Sequence, residues 1–207
     1  MVSSYPVRFD VDFPPRPLGR LSTAFRAIVA IPIVVLLTML SGETLRSDDS
    51  GGDARTLVIG GAAVFVPLVL MLVFRQKYPR WWFDWNLNLM RFSNRVTAYL
   101  ALLDDRYPST DEEQSVHLEF EYPDARQLSR WLPLVKWLLA LPHYIVLLFL
   151  GIGAFFAVIV AWFAILFTRS YPRSLFDYVV GVLRWSNRVN AYAFALVTDQ
   201  YPPFSLS

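Results

Sequence analysis

Long apolar stretches set the first constraint on this chain, because each must find an apolar surrounding. One runs from Ala24 to Leu40 (AFRAIVAIPIVVLLTML) and a second from Leu57 to Phe74 (LVIGGAAVFVPLVLMLVF). A third tract, Trp131 to Phe167, is interrupted only by Lys136 and His143, near its start. A membrane helix needs ~20 largely apolar residues to cross ~30 Å of hydrocarbon. The third tract is too long for one crossing, and Gly151-Ile152-Gly153 near its middle predicts a tight turn and a fold-back. The expectation is therefore four spans. A soluble helix usually keeps a polar face, and none of these stretches carries a continuous polar stripe. Composition agrees: 55% of residues are hydrophobic and only 17% charged, against ~25% in soluble chains.

The charges orient the spans. Of nineteen Lys and Arg, only Arg46 and Arg55 fall in the polar segment between the first two stretches, and none falls at Gly151–Gly153. Basic residues accumulate on the cytoplasmic side, so both termini are expected there. The first twenty residues have no apolar core of a signal peptide, so a cleavable leader is not expected. With no Cys, disulfides and thiolate chemistry are excluded. A net charge of +2 gives no argument for nucleic acid as a partner.

The chain also repeats itself. Tyr78-Pro79-Arg80 recurs as Tyr171-Pro172-Arg173, and Phe83-Asp84 as Phe176-Asp177. Arg91-Phe92-Ser93-Asn94-Arg95-Val96 recurs as Arg184-Trp185-Ser186-Asn187-Arg188-Val189, and Ala98-Tyr99 as Ala191-Tyr192. Upstream, Val7–Pro14 resembles Val116–Pro123, and Ala30-Ile31-Pro32 resembles Ala140-Leu141-Pro142. Two modules follow, residues 1–108 and 109–207. Each is expected to be a two-helix membrane hairpin, preceded by a short strand and followed by an amphipathic interfacial helix. Two spans per module make these parallel repeats. The fold class is thus membrane all-α with minor β.

Strict apolar–polar alternation before Pro14 and Pro123 is a strand signature. A lone strand is unstable, so the two must pair with each other or with a partner chain. Residues Trp81–Leu103 and Ser174–Val197 have helical periodicity, with Trp and Tyr on one face and Arg on the other, suited to the headgroup region.

Taken together, Tyr-Pro-Arg, Phe-Asp, Arg-Trp-Ser-Asn-Arg-Val, Ala-Tyr and the closing Asp199-Gln200-Tyr201-Pro202-Pro203-Phe204 resemble bacterial membrane proteins of domain-of-unknown-function family 4389. The resemblance covers nearly the whole chain as two tandem copies, the second being the nearer match. It implies the cytoplasmic membrane of a bacterium and no particular activity.

The candidate site is a polar stripe, Asp84, Arg91, Asn94 and Arg95, with its copy Asp177, Arg184, Asn187 and Arg188. Arg at i and i+4 can clamp a lipid phosphate. The stripe can instead be spent on internal carboxylates, Asp84 and Asp177 or the acidic strand faces Asp10, Asp12, Glu119 and Glu121, with Asp177 the first choice for Arg184 and Arg188; internal pairing is the expectation. His117 and His143 have no third ligand in a metal-binding spacing, and His143 reads as interfacial. Asp48, Asp49 and Asp53 read as a solvated run. No catalytic constellation, metal site or cofactor is expected. The expected role is a non-enzymatic accessory or scaffold subunit of a membrane complex, with membrane lipids and other membrane subunits as partners. The alternatives are an anionic-lipid-binding or membrane-shaping protein and an oligomeric pore or transporter component.

Overall fold

A computed structural model describes residues 5–15, 17–40, 68–110, 112 and 114–207. The two alternating segments form strands β1, Val7–Val11, and β2, Val116–Phe120. They pair with each other, antiparallel, with Phe9 opposite Leu118. Val7, Phe9 and Val11 face inward while Arg8 and Asp10 face out, as the alternation requires. The Asp12 N–H donates to the Ser115 carbonyl (2.9 Å) and the Glu121 N–H to the Pro6 carbonyl (3.1 Å). Hydrogen-bonded pairs alternate along an antiparallel ladder, so Phe9 and Leu118 form a non-bonded pair. Their carbonyls point out of the two edges of the ribbon.

Among the described residues the helices are α1 Arg20–Val29, α2 Ile31–Leu40, α3 Arg80–Leu100, α4 Leu132–Leu139, α5 Leu141–Thr168 and α6 Arg173–Ala193. A π-helical turn, Met71–Arg75, precedes α3. The breaks at Ala30 and Ala140 share one cause. Pro32 and Pro142 lack an N–H and crowd the preceding turn, so each apolar run bends there. Among the described residues, two stretches, Arg20–Thr38 (mean hydropathy 2.1) and Leu132–Thr168 (2.8), are long and apolar enough to cross a membrane.

The expected fold-back at Gly151–Gly153 does not occur. Helix α5 runs unbroken through both glycines, for ~42 Å at 1.5 Å per residue. Gly153 serves close approach: a Cβ there would lie 2.5 Å from the Tyr178 hydroxyl, which donates to the Leu150 carbonyl at 3.0 Å. The second module is therefore a bent helix, α4–α5, with α6 lying back against it. The picture of four transmembrane helices in two hairpins fails there. In the first module, most of the stretch Leu57–Phe74, with Gly60–Ala63, lies outside the described residues; so do Asp48, Asp49 and Asp53.

Helices α3 and α6 each bury one face against an apolar run. Phe92, Val96 and Tyr99 pack on Ala30 and Ile33, and Trp185, Val189 and Tyr192 pack around Ala140. Both helices end earlier than their periodicity predicts. Leu102 (φ 64°) and Leu196 (φ 54°) adopt left-handed backbone, a rare state for a branched residue, and burial of both side chains holds them there. The two halves of the chain interlock: α6 packs on β1 and α3 on β2. Tyr78 donates its hydroxyl to the Ala195 carbonyl (2.6 Å) and Tyr171 donates to that of Ala101 (3.4 Å). Tyr5, near one end of the chain, donates to the Gln200 carbonyl near the other, at 3.3 Å.

Candidate functional site

The polar stripe lies between the modules. Asn94 and Asn187 meet face to face and are buried, each Nδ2 donating to the other's Oδ1 at 2.8 Å. The remaining Nδ2 hydrogens go to the Met90 and Leu183 carbonyls one turn back (2.8 and 2.9 Å). Both amides are thus satisfied.

The arginines are spent on main-chain oxygen. Arg184 Nε donates to the outward carbonyl of Phe9, and Arg91 Nε to that of Leu118, each at 2.9 Å. The central carbonyl at each edge of the β-ribbon is therefore already occupied. Arg184 also donates to the Leu206 carbonyl (3.1 Å) and pairs with Asp10 (3.0 Å). Its carboxylate partner is Asp10, on the acidic strand face, and not the first choice Asp177; Asp177, well exposed, pairs with Arg173 one turn earlier at 3.6 Å. Asp84 is exposed as well. Arg188 donates to the Ser205 and Ser207 carbonyls, and Arg95 to that of Ser109. Burial, and then the neighbouring Arg184, lower the Arg188 guanidinium from its ordinary value. These contacts hold the C-terminal tail against α6.

Sequence reasoning underrated two buried cations. Arg26 and Lys136, each near the start of an apolar run, are 2% and 0% exposed. Arg26 pairs with Asp105, donates to the Tyr99 and Asp104 carbonyls (3.0 and 2.8 Å) and stands over the Tyr99 ring. Lys136 pairs with Asp199 (2.6 Å), donates to the Thr198 carbonyl (2.8 Å) and stands over the Tyr192 ring. Each carboxylate also accepts a backbone N–H at the entry to its apolar run, from Gly19 (2.7 Å) or Ser129 (2.6 Å). The signal was available: Arg26 and Lys136 occupy matched places four residues before Ala30 and Ala140, and Asp105 and Asp199 are themselves matched.

His143 is fully buried, contrary to an interfacial place. It accepts from the Trp185 indole at 3.1 Å and stacks on Phe204 with ring centroids 4.0 Å apart. The repeat puts Ile33 there, so the imidazole fills an apolar position. His117 pairs with Asp12 across the ribbon at 3.0 Å. Among the described residues, no group of three His, Cys, Asp or Glu side chains could hold a metal ion.

Among known families, residues 130–205 match a domain of unknown function (DUF4389). The match covers α4, α5, α6 and most of the tail that Arg184 and Arg188 hold. No curated protein and no solved structure matches the chain.

Proposed function

We propose that this protein belongs to the cytoplasmic membrane of a bacterium and works there as a non-enzymatic accessory or scaffold subunit of a membrane complex. We read its architecture as two copies of the family's module, with both ends on the cytoplasmic side. One observation carries the reading: the second module has two opposed faces. The outer side of α4–α5 is apolar and exposed along its whole length, while α6 and β1 on the other side present charge.

An exposed apolar surface of that extent needs lipid or protein to cover it. A core helix of a soluble protein would be mostly buried, whereas only 11% of the most apolar window of Leu132–Thr168 is buried. The duplication is supported by contacts that come in pairs: the two buried cations, the two tyrosine hydroxyls, the two edge-capping arginines and the reciprocal asparagines. Proximity of Tyr5 to Gln200 favours placing both ends on one side.

The stripe arginines donate to carbonyls of the chain itself, which weighs against a headgroup clamp. The same contacts change how a partner would dock. With the Phe9 and Leu118 carbonyls capped, a strand adding to either edge would first have to displace Arg184 or Arg91. A partner would instead meet the outward side chains Arg8, Asp10, His117 and Glu119. Photoreactive residues at Arg8 and Glu119 in native membranes test this. Adducts with one distinct protein chain are expected. Intrachain products alone, with a monomer after purification, would overturn the subunit reading, and solute flux through the protein in liposomes would favour a pore.

A further inference from the structure

We infer that α5 lies along the cytoplasmic surface of the bilayer, its outer stripe sunk into the acyl–headgroup boundary and its α6–β1 side in water. The inference rests on the membrane reading above and adds the geometry of embedding. Three observations carry it.

The first is the shape of the apolar surface. Ile145, Phe149, Ile152, Phe156, Val160 and Phe163 follow one another at three- and four-residue steps and are all at least about half exposed. They form one stripe along the helix, and Ala157, Ala161 and Ile165 on the opposite side are buried. The stripe is left for lipid, while the opposite side of α5 is covered by the chain's own α1 and α6.

The second is where the charges stand. Tyr178 bonds the Leu150 carbonyl and abuts Gly153, so α6 is level with the middle of α5 at that point. Arg173 and Asp177 lie within about a turn and a half of Tyr178 on α6, 68% and 63% exposed. Asp10, joined to Arg184 on the same helix, is 72% exposed. If α5 stood upright across the bilayer, these ionic side chains would sit near mid-depth, where charge is held only when facing protein or water. With α5 in the plane, they face the cytoplasm.

The third is the charge at the ends of α5. Arg126 and Arg130 precede the α4–α5 run, and Arg169 directly follows it. An upright α5 would put Arg169 on the side opposite to that pair. Basic residues of short flanking segments collect on the cytoplasmic side, and an in-plane helix satisfies that at both ends. The same arginines then reach the anionic headgroups of that leaflet.

The chain has no Cys, so single introduced cysteines are unique reporters. The test uses the full chain in cells, with Ser129→Cys, Ser170→Cys, Asp177→Cys and Phe156→Cys and a membrane-impermeant maleimide. Cysteines at 129, 170 and 177 are expected to resist labelling on intact cells and to react after permeabilisation. The cysteine at 156 is expected to react only in detergent. Labelling of 129 and 170 from opposite sides would overturn the in-plane geometry while leaving the membrane reading intact. Release of the parent by alkaline carbonate, with position 156 reactive in water, would overturn the membrane reading itself. Ile152→Cys, on the same stripe, replaces Phe156→Cys if that variant fails to accumulate.

Discussion

Replacing Asn187 with Leu tests the join between the two modules. In the structure Asn94 and Asn187 exchange two hydrogen bonds in a buried setting. Asn187→Leu leaves the Asn94 Oδ1 without its donor and one Asn94 Nδ2 hydrogen without its acceptor. Each stranded neutral group costs ~1–3 kcal/mol, giving ~2–6 kcal/mol. Burial of the new side chain returns ~1–2 kcal/mol, so the net loss falls within ~0–5 kcal/mol and centres on ~2.5 kcal/mol. Asn94→Leu is equivalent by the reciprocity of the pair. When both are replaced, no polar group is stranded, and two leucines of similar volume meet across the join. The double variant should therefore be more stable than either single variant. For a chain of this size a loss of that order lowers Tm by roughly 5–10 °C. Melting in mild detergent, followed by near-ultraviolet circular dichroism, measures the order of the four proteins. A double variant melting below both single variants, near the sum of their losses, would refute the account of a mutually satisfied pair.

Three further outcomes are expected. Asp199→Ala leaves Lys136 buried without its carboxylate and should cost roughly 3–5 kcal/mol in the same melting assay, with Asp105→Ala acting alike on Arg26. Arg184→Ala should release the C-terminal tail, read as faster cleavage after Phe204 by chymotrypsin, while Asp177→Ala, whose pair is exposed, should change stability by at most ~1 kcal/mol. Burial raises the Tyr78 and Tyr171 phenols above their ordinary value. Between that value and the raised one only the folded form keeps the proton, so stability is full below pH ~10 and falls as pH rises further; Tyr78→Phe with Tyr171→Phe should flatten that fall in an alkaline melting series.

The periodicities carried much of this architecture. Alternation of apolar and polar residues fixes which side of a strand is buried, so Val7–Val11 and Val116–Phe120 were legible as strands before their partners were known. Helical spacing did the same for α3 and α6, and repetition of Arg-x-Ser-Asn-Arg-Val marked the residues that meet at the join. These are local properties, set by the geometry of neighbours in the chain. The glycines at 151 and 153 were not legible in this way. Glycine permits a turn and also permits close packing, and the choice depends on whether another helix arrives; Tyr178 arrives, and α5 stays straight.

The partners of the arginines were decided in the same manner. Asp177 is the near carboxylate in sequence, but Arg184 reaches Asp10 and the Phe9 carbonyl because β1 of the other module lies against α6. The buried cations Arg26 and Lys136 show the balance from both sides. The sequence by itself determined that the runs Ala24–Leu40 and Trp131–Phe167 each carry one basic residue near the start, at matched positions. Only the tertiary structure decided that these charges would be buried, since it brings Asp105 and Asp199 from the ends of α3 and α6 to the entry of those runs, and an interior cation persists only beside a carboxylate and carbonyls.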